Sequence, residues 1–503
     1  MRIVKILLIA FLILVIAIFY LSIFGIKTDK FNTQIINNIL KINNKINLRL
    51  GEVNYLLNPY NFTVNIRTTN PQILLEGKNL GIKNIQTNVV LKSLVNDRFS
   101  IDDLQITTKE IKLNDIISLA RTFQNSPQLF VLDTIIKDGL VSANFNLNFD
   151  EQGKVKKNYE IRGSIKKAKL NILNKLKLQN LNFNFDINKS IYSLKLIDMK
   201  LNDIRITSPL IEIKKKKNSF FVNGQFLNKK NIFNIEELKP IFTNLFNIID
   251  IRKIEFSSKS KFSFKINESL RLDNFKVETK INLNQLIINQ QKLKLKSYFP
   301  SFVEEIKLKD HKVVINYNKD KFNIKGNGDI LLEDKIDSLS YEIIKDKINF
   351  SFDSKINLKN NSLLIDFLNY EKKEGLNSLV SVKGSVNRNN QLRLDLISLK
   401  EKNNEISIKG LDLSETFKII DIENFNINYK NNKNILNKLN LKKNNSNFII
   451  EGESFDASTI INNIMDSDNQ NSSFFQRLNS KIDIRIKKTY IDEINYINFL
   501  IGY

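Results

Sequence analysis

The chain has 503 residues, a formal net charge of +24, one His, and neither Cys nor Trp. This composition excludes disulfide bonds, cysteine nucleophiles and Cys/His metal sites. The positive charge would permit nucleic-acid binding, but Lys is spread evenly along a chain rich in residues with A/T-rich codons, so we attribute the charge to codon bias. The one tight basic run, 214–217, is predicted to be a solvated turn, with anionic lipid headgroups as the alternative partner.

The first predicted element is a membrane anchor over residues 1–26. No charged side chain occurs from Ile6 to Phe24, and nineteen helical residues span about 28 Å, close to the thickness of a bilayer core. Arg2 and Lys5 precede this run and favour a cytoplasmic N-terminus. Residues predicted to lie in the membrane as part of this anchor include Ile6, Phe11, Ile16 and Phe24.

An anchor and a cleaved signal peptide differ at the end of the apolar run. A signal peptide needs a short apolar core and small residues at its cleavage site. Here the core is long and Ser22 before Phe24 makes a poor site. We therefore expect an uncleaved, single-pass protein of the bacterial inner membrane, with its bulk in the periplasm.

A short amphipathic helix is predicted next, over residues 27–45. Its apolar residues recur at helical spacing on one face. They are Phe31, Ile35, Ile36, Ile39 and Leu40.

From Ile46 onward the apolar pattern changes to a period of two, which is typical of strands with one apolar and one solvated face. The clearest example is Ile254–Asn267, where even positions are mostly apolar and odd positions polar. Because parallel strands are usually apolar on both faces, we predict a mostly antiparallel sheet. Further segments of this kind are Ala143–Phe149, Phe183–Ile187, Phe275–Leu283, Ile348–Phe352, Ser354–Leu358, Phe425–Tyr429 and Ile482–Ile486.

A motif of an aliphatic residue, any residue and Gly recurs at unequal intervals. Glycine inside a strand marks a bulge or a bend, so the motif predicts repeated kinks in one curved sheet. Its glycines are Gly163, Gly224, Gly326, Gly384, Gly410 and Gly452.

Three segments have helical spacing instead: Leu113–Phe123, Ile235–Ile249 and Ser458–Ile464. No Pro/Gly/Ser-rich linker separates domains, so one elongated domain is predicted. The fold class predicted is therefore mainly β, with an N-terminal transmembrane helix, an elongated and curved, mostly antiparallel sheet over 46–503, and a few short helices.

The sequence contains no recognisable catalytic constellation. His311 stands in a polar stretch and is predicted to be a solvated turn residue. Gly326 and Gly328 lack the rest of a dinucleotide fingerprint. Adjacent acidic residues such as Asp102 and Asp103 point to opposite faces of a strand. We therefore expect no enzyme activity, no cofactor and no metal site.

One-sided strands leave an apolar face that must be covered. A second sheet, helices, or an open groove holding acyl chains would each satisfy this requirement, and the predicted helices are too few to cover every strand. The residues predicted to line a lipid groove are Phe145, Phe149, Phe183, Phe185, Phe256, Phe262, Phe264, Ile266, Phe350 and Phe352.

The order of anchor, short helix and long β region resembles the AsmA-like family of bacterial envelope proteins, including its YhdP-type members. The resemblance covers almost the whole chain. It implies a taco-like β-groove that conducts phospholipids between the inner and outer membranes, without catalytic residues. Because YhdP-type members are longer, it also implies that the chain is incomplete at its C-terminus. The residues that carry it are Leu50-Gly-Glu-Val53, Phe62-Thr-Val-Asn-Ile66, Pro71, Ile85–Leu91, Ile116–Leu119, Gly139-Leu-Val141 and Tyr159–Ile165.

The function predicted is therefore a periplasmic, membrane-anchored protein that holds or conducts phospholipids towards the outer membrane. The alternative is a non-catalytic envelope scaffold that binds partner proteins through strand edges. The expected partners are phospholipid acyl chains and the membrane, with envelope proteins as further candidates and no nucleic acid.

Overall fold

The computed structural model describes most of the chain. The described residues are 2–30, 32–33, 36, 46–75, 78–91, 101–123, 127–150, 156–172, 176–216, 219–239, 250–267, 271–290, 295–319, 321–347, 349–386, 391–415, 419–444, 447–465, 481–491 and 495–497.

The fold is mainly β and predominantly antiparallel, with an apolar N-terminal helix and few short helices, which confirms the predicted fold class. The sequence predicts a single β domain, whereas the chain forms two compact units. Unit 1 comprises Met1–Leu227 and Ser263–Asp273, and unit 2 comprises Asn228–Phe262 and Asn274–Tyr503. All three boundaries between them fall inside strands, so no linker composition marks them.

The first part of the chain forms helices α1 (Arg2–Ile23), α2 (Leu113–Phe123) and α3 (Pro127–Ile135). Its strands are β1 (Ile26–Thr28), β2 (Ile46–Arg49), β3 (Val53–Asn58), β4 (Thr63–Thr69), β5 (Gln72–Leu75), β6 (Lys78–Val90), β7 (Ile101–Thr108), β8 (Ile111–Lys112), β9 (Ile136–Asn148), β10 (Glu160–Ile172), β11 (Leu176–Asn188), β12 (Ile191–Leu201), β13 (Ile204–Lys216) and β14 (Ser219–Phe233).

The rest of the chain forms the short helices α4 (Ile235–Leu238) and α5 (Ser458–Met465), and the 3₁₀ turns Leu295–Ser297 and Asp366–Leu368. Its strands are β15 (Asp250–Asn267), β16 (Leu272–Asn289), β17 (Glu305–Asn318), β18 (Lys321–Leu331), β19 (Ile336–Asp346), β20 (Asn349–Leu358), β21 (Leu363–Ile365), β22 (Tyr370–Lys372), β23 (Ser378–Val386), β24 (Leu392–Glu401), β25 (Asn404–Leu413), β26 (Ile419–Lys430), β27 (Leu436–Asn444), β28 (Asn447–Asp456), β29 (Ile482–Tyr490) and β30 (Tyr496–Ile497).

The predicted period-two segments all coincide with strands, apart from Ile348, which lies outside the described residues, and Phe149, which directly follows β9. Helices α2 and α5 confirm two of the three predicted helices. Of the third, only Ile235–Leu238 is described. The predicted helix over 27–45 lies largely outside the described residues, and its first residues, Lys27 and Thr28, belong to strand β1 instead.

Among the strand pairings of the described residues, all but one are antiparallel. Strand β29 pairs in parallel with β28, with Ile450 opposite Ile484. A parallel neighbour needs a crossover connection, and helix α5 lies between these two strands in the sequence. This exception places the isoleucines of β29 beside the buried face of β28.

The two units bury their apolar side chains to different extents. Unit 2 contains one large core that includes Leu358, Ile422, Ile427 and Leu441. The buried clusters of unit 1 are small, and one of them joins Leu113 of α2 to Val141 and Ala168. Most apolar side chains on the sheet of unit 1 are therefore only partly buried.

Candidate functional site

The apolar residues of unit 1 form a continuous row across its sheet. Directly paired residues of adjacent antiparallel strands share one face of the sheet. Following these pairs from β3 to β14 gives Val53, Thr68, Ile85, Ile106, Phe145, Ile161, Ile187, Tyr192, Ile213 and Val222. We call this set the unit-1 row.

Thr68 is a polar member of the unit-1 row. Its hydroxyl donates a hydrogen bond to the Leu50 carbonyl over 2.5 Å. Between the ends of the row, Ile85, Ile106, Phe145, Ile161 and Ile187 are all half-buried. The row is therefore an apolar strip that retains access to solvent.

The opposite face of the same strands is polar. Arg205 forms a bidentate ion pair with Asp198, with distances of 3.0 and 2.8 Å. Lys195 lies 3.5 Å from Asp186. The two faces of unit 1 thus differ sharply in solvation, as the period-two pattern predicts.

The predicted groove residues of unit 1 lie on or beside the unit-1 row. Phe145 belongs to it, and Phe149 directly follows the same strand. Phe183 and Phe185 project from the apolar face of β11, with ring centroids 6.4 Å apart. Phe185 is also opposite Gly163, where a Cβ would lie 2.5 Å from its Cζ.

Unit 2 carries a second continuous row, which runs from β16 to β29. Its directly paired members are Ile281, Val313, Gly326, Tyr341, Ser354, Val382, Ile397, Ile408, Phe425, Leu441, Ile450 and Ile484. We call this set the unit-2 row. Five of its twelve members are buried, six are half-buried and Ile484 is exposed; the buried ones are Val313, Gly326, Phe425, Leu441 and Ile450.

Three short segments cover the apolar face of unit 2. The first two contribute Phe299 and Phe302, and Leu363 and Leu368, to the core, and the third contributes Ala457 with Ile460 and Ile461 of α5 packed against it. The middle segment is the hairpin of β21 and β22 with its 3₁₀ turn. The face is thus covered partly by local insertions, an outcome between the sealed sandwich and the open groove considered from sequence.

Buried polar groups hold the β21–β22 hairpin in place. Asp337 accepts hydrogen bonds from the backbone amides of Lys359, Asn360 and Asn361, at 2.7, 2.8 and 3.1 Å. The fully buried Lys372 amine donates to the carbonyls of Lys359 and Asn361. Burial lowers the pKa of Lys372.

Two buried tyrosines fix the same hairpin against the sheet. The Tyr370 hydroxyl donates to Glu401 over 2.5 Å, and burial together with this carboxylate raises the Tyr370 pKa. The Tyr429 hydroxyl donates to the Leu368 carbonyl. The two rings meet edge to face, with centroids 5.1 Å apart.

A cavity of about 980 Å³ remains where this cover ends. Its floor includes the final part of the unit-2 row, from Ile408 to Ile484, and its walls include Phe367 and Ile460. The volume lies near the upper end of the range of about 300–1,000 Å³ typical of small-molecule pockets. Ile484 is 54% exposed, so the cavity reaches solvent at β29.

The charged residues of the cavity lie on β29 and beside it. Lys481, Asp483 and Arg485 alternate with the isoleucines of the strand. Arg485 lies 2.7 Å from Asp483 and 3.4 Å from Glu451. Asp483 and Arg485 are exposed and lie on the opposite face of β29 from Ile484.

The remaining predicted groove residues lie in β15 and β20. Phe256 stacks on Phe233 with centroids 4.5 Å apart and packs against the core of unit 2. Phe262 belongs to unit 2, whereas Phe264 and Ile266 belong to unit 1. Phe350 and Phe352 are neighbours on one face of β20, and Phe352 packs against the core of unit 2.

The prediction for His311 is wrong. His311 lies in β17 with only 1% of its surface exposed, and its Nε2 is 2.9 Å from the Asp329 carbonyl oxygen. Its sequence neighbours are polar because they lie on the other face of the strand. Burial lowers the His311 pKa, more than the hydrogen bond to Asp329 raises it.

Helix α1 is long and apolar enough to cross a membrane. Its segment Lys5–Ile23 has a mean hydropathy of 3.2, and none of it is buried against the protein. A signal sequence would share these properties. Helix α1 is the one such helix among the described residues.

Sequence reasoning identified the strands that line the cavity but not the cavity itself. Phe425 and Ile482–Ile486 were placed on one-sided strands, and α5 was predicted. The β21–β22 hairpin has no comparable periodic signal. Among the described residues, no group of three or more His, Cys, Asp or Glu side chains is arranged to hold a metal ion.

Comparison with known proteins gives no assignment: the chain matches no protein-family profile, no curated protein and no solved structure at a significant level. The resemblance to the AsmA-like family therefore stays a prediction.

Proposed function

We propose that this protein is anchored in a bacterial inner membrane by α1 and holds or conducts phospholipids along the apolar faces of its sheet. The bulk of the chain then lies in the periplasm, and the protein performs no catalysis. The single observation that carries this proposal is the pair of continuous, mostly apolar rows described above.

The unit-1 row supports conduction. Its members from Ile85 to Ile213 are half-buried and mostly apolar, an arrangement that is unfavourable in water unless a ligand or partner covers them. Strand β3, which carries the buried Val53 at the start of the row, contacts the end of α1. Lipid leaving the membrane beside α1 would therefore reach the half-buried members through the strands next to β3.

The cavity of unit 2 supports retention of lipid. Burial of acyl chains is favourable by about 0.8 kcal/mol for each CH₂ group. The apolar residues that line the cavity, such as Phe425, Leu441 and Ile450, offer an acyl chain a surface shielded from water.

Native mass spectrometry of the full chain, extracted from membranes in mild detergent, tests this proposal. We expect phospholipid to remain bound to the wild-type protein. An Ile484→Asp variant should carry less lipid, because it places a carboxylate in the apolar cavity. Since Ile484 is 54% exposed, its melting temperature should change little.

The matched control is Lys487→Asp, which changes an exposed residue of the same strand to the same carboxylate. It should retain wild-type lipid occupancy. A lipid-free wild-type protein that instead co-purifies with envelope proteins would favour the scaffold hypothesis and contradict the proposal.

A further inference from the structure

The end of α1 is packed directly against the sheet of unit 1. The backbone of Gly25 lies so close to β3 that a Cβ would be 2.5 Å from the Tyr55 carbonyl oxygen and 2.7 Å from Asn54 Oδ1. Gly25 also has φ +63°, a left-handed conformation that glycine adopts without strain. The helix and the sheet are therefore joined closely, without a free linker.

Strand pairing fixes the direction of this junction. Ile26 lies opposite Tyr55, and Thr28 lies opposite Val53. The chain leading back from β1 into α1 therefore runs toward the C-terminal end of β3. Ile18 and Leu21, in the last turns of α1, are partly covered, which agrees with a helix lying alongside the protein there.

The turn between β3 and β4 extends in this same direction. We call residues 59–62 the aromatic turn. Tyr60 is 94% exposed and Phe62 is 69% exposed. Strand β3 continues two residues beyond Leu56, to Asn58, which at strand rise is roughly 7 Å toward the membrane side of the junction, and the aromatic turn begins there.

Local contacts fix the backbone of the aromatic turn. The Asn58 side chain accepts hydrogen bonds from the amides of Tyr60 and Asn61, at 3.2 and 3.3 Å. The Phe62 carbonyl accepts one from Leu91 over 2.9 Å. Phe62 has φ +51°, which is rare for a bulky residue. The exposed ring of Phe62 is therefore held by a backbone conformation that is unfavourable for a bulky residue.

We propose that the aromatic turn inserts into the headgroup layer of the bilayer that α1 crosses. Aromatic side chains with an apolar body and a polar edge are enriched at that depth. The bilayer is the partner because the turn and α1 extend side by side from one junction. This inference rests on the membrane anchor of the proposed function and adds a second membrane contact to it.

Tryptophan fluorescence tests the inference, because the chain has no Trp of its own. Single variants Tyr60→Trp and Phe62→Trp of the full chain are placed in lipid nanodiscs with or without bromine on the acyl chains near the headgroup. We expect brominated lipid to quench most of the emission of both variants. The emission maximum of each variant in nanodiscs should also lie at a shorter wavelength than that of the same variant kept soluble by amphipol without lipid.

Two further variants separate this inference from the anchor itself. Phe11→Trp reports on α1 and should be quenched by bromine near the bilayer centre. Phe130→Trp is the matched control: Phe130 is an exposed aromatic residue of α3, which leads into the opposite end of the strands. Its emission should be unaffected.

Quenching of Phe11→Trp without quenching of Tyr60→Trp and Phe62→Trp would overturn the inference and leave the anchor intact. Equal quenching of Phe130→Trp would also overturn it, since the contact would not be specific to the turn. Failure of Phe11→Trp to respond would overturn the anchor and the inference together.

Discussion

At the scale of single residues, glycine and aromatic side chains act as pairs on the apolar faces. Phe185 lies over Gly163, Tyr341 over Gly326 and Phe352 over Gly384. In each pair the two residues are directly opposite on neighbouring strands. The absence of a side chain on the glycine makes room for the ring. These glycines therefore allow aromatic packing, in addition to the bulges or bends that the sequence predicts.

Gly326→Ala tests this pairing. Its added methyl group would overlap the ring of Tyr341, so we expect a loss of about 1–3 kcal/mol in unfolding free energy. In a Tyr341→Leu background the same substitution should cost clearly less. Denaturant unfolding measures both, and equal losses in the two backgrounds would contradict the pairing.

His311 gives a prediction for pH dependence. Its folded-state pKa is lowered by burial, so the unfolded chain binds the proton more readily than the folded chain. Above the unfolded pKa of about 6.5 both states are neutral and stability is unaffected. Below that value stability should fall as pH falls.

The melting temperature at pH 7.5 and at pH 5.5 measures this effect. Because the chain has one His, a His311→Gln variant should lose less stability over that interval than the wild-type protein. An unchanged pH dependence in the variant would show that other groups are responsible.

At the scale of elements, the β21–β22 hairpin decides how far the face of unit 2 is closed. Asp337 binds the chain entering this hairpin through backbone amides. Asp337→Ala should therefore cost about 2–4 kcal/mol, because buried donors lose their acceptor. Hydrogen exchange should become faster over residues 359–372.

The control for Asp337 is Glu374→Gln, which removes an exposed carboxylate 2.6 Å from Lys335. Such surface ion pairs contribute about 0–1 kcal/mol. A comparable loss in both variants would show that Asp337 has no special role in holding the hairpin.

The hairpin also shows what could be predicted from the sequence. Strands such as β15 and β26 were predictable because apolar residues alternate within the segment itself. The hairpin that covers the apolar face of unit 2 was not predictable, because Leu363, Leu368 and Tyr370 lack a periodic signal and are buried through contacts distant in sequence. His311 was misjudged for a related reason: its polar neighbours lie on the other face of the strand.

At the scale of the whole molecule, each unit combines one apolar face with one polar face, and α1 is long and apolar enough to cross a membrane. The proposed topology requires α1 to stay attached. N-terminal sequencing of the mature protein should therefore begin at or near Met1. A start near residue 25 would show that α1 is a cleaved signal sequence.

Reporter fusions after Asp29 test the orientation of the chain. A reporter that is active only in the periplasm should work at this position, because Arg2 and Lys5 favour a cytoplasmic N-terminus. A cytoplasmic reporter that works there instead would contradict the proposed topology.

The most direct test of lipid binding is photo-crosslinking in cells at Phe183 and at Asn184. These adjacent residues of β11 differ in the face they present, since Phe183 lies on the apolar face and Asn184 is exposed on the polar one. With a photo-reactive amino acid at each position in turn, we predict phospholipid adducts at position 183 and none at position 184. A folded protein that gives no lipid adduct at position 183, or equal adducts at both positions, would contradict the proposal that the apolar face carries lipid.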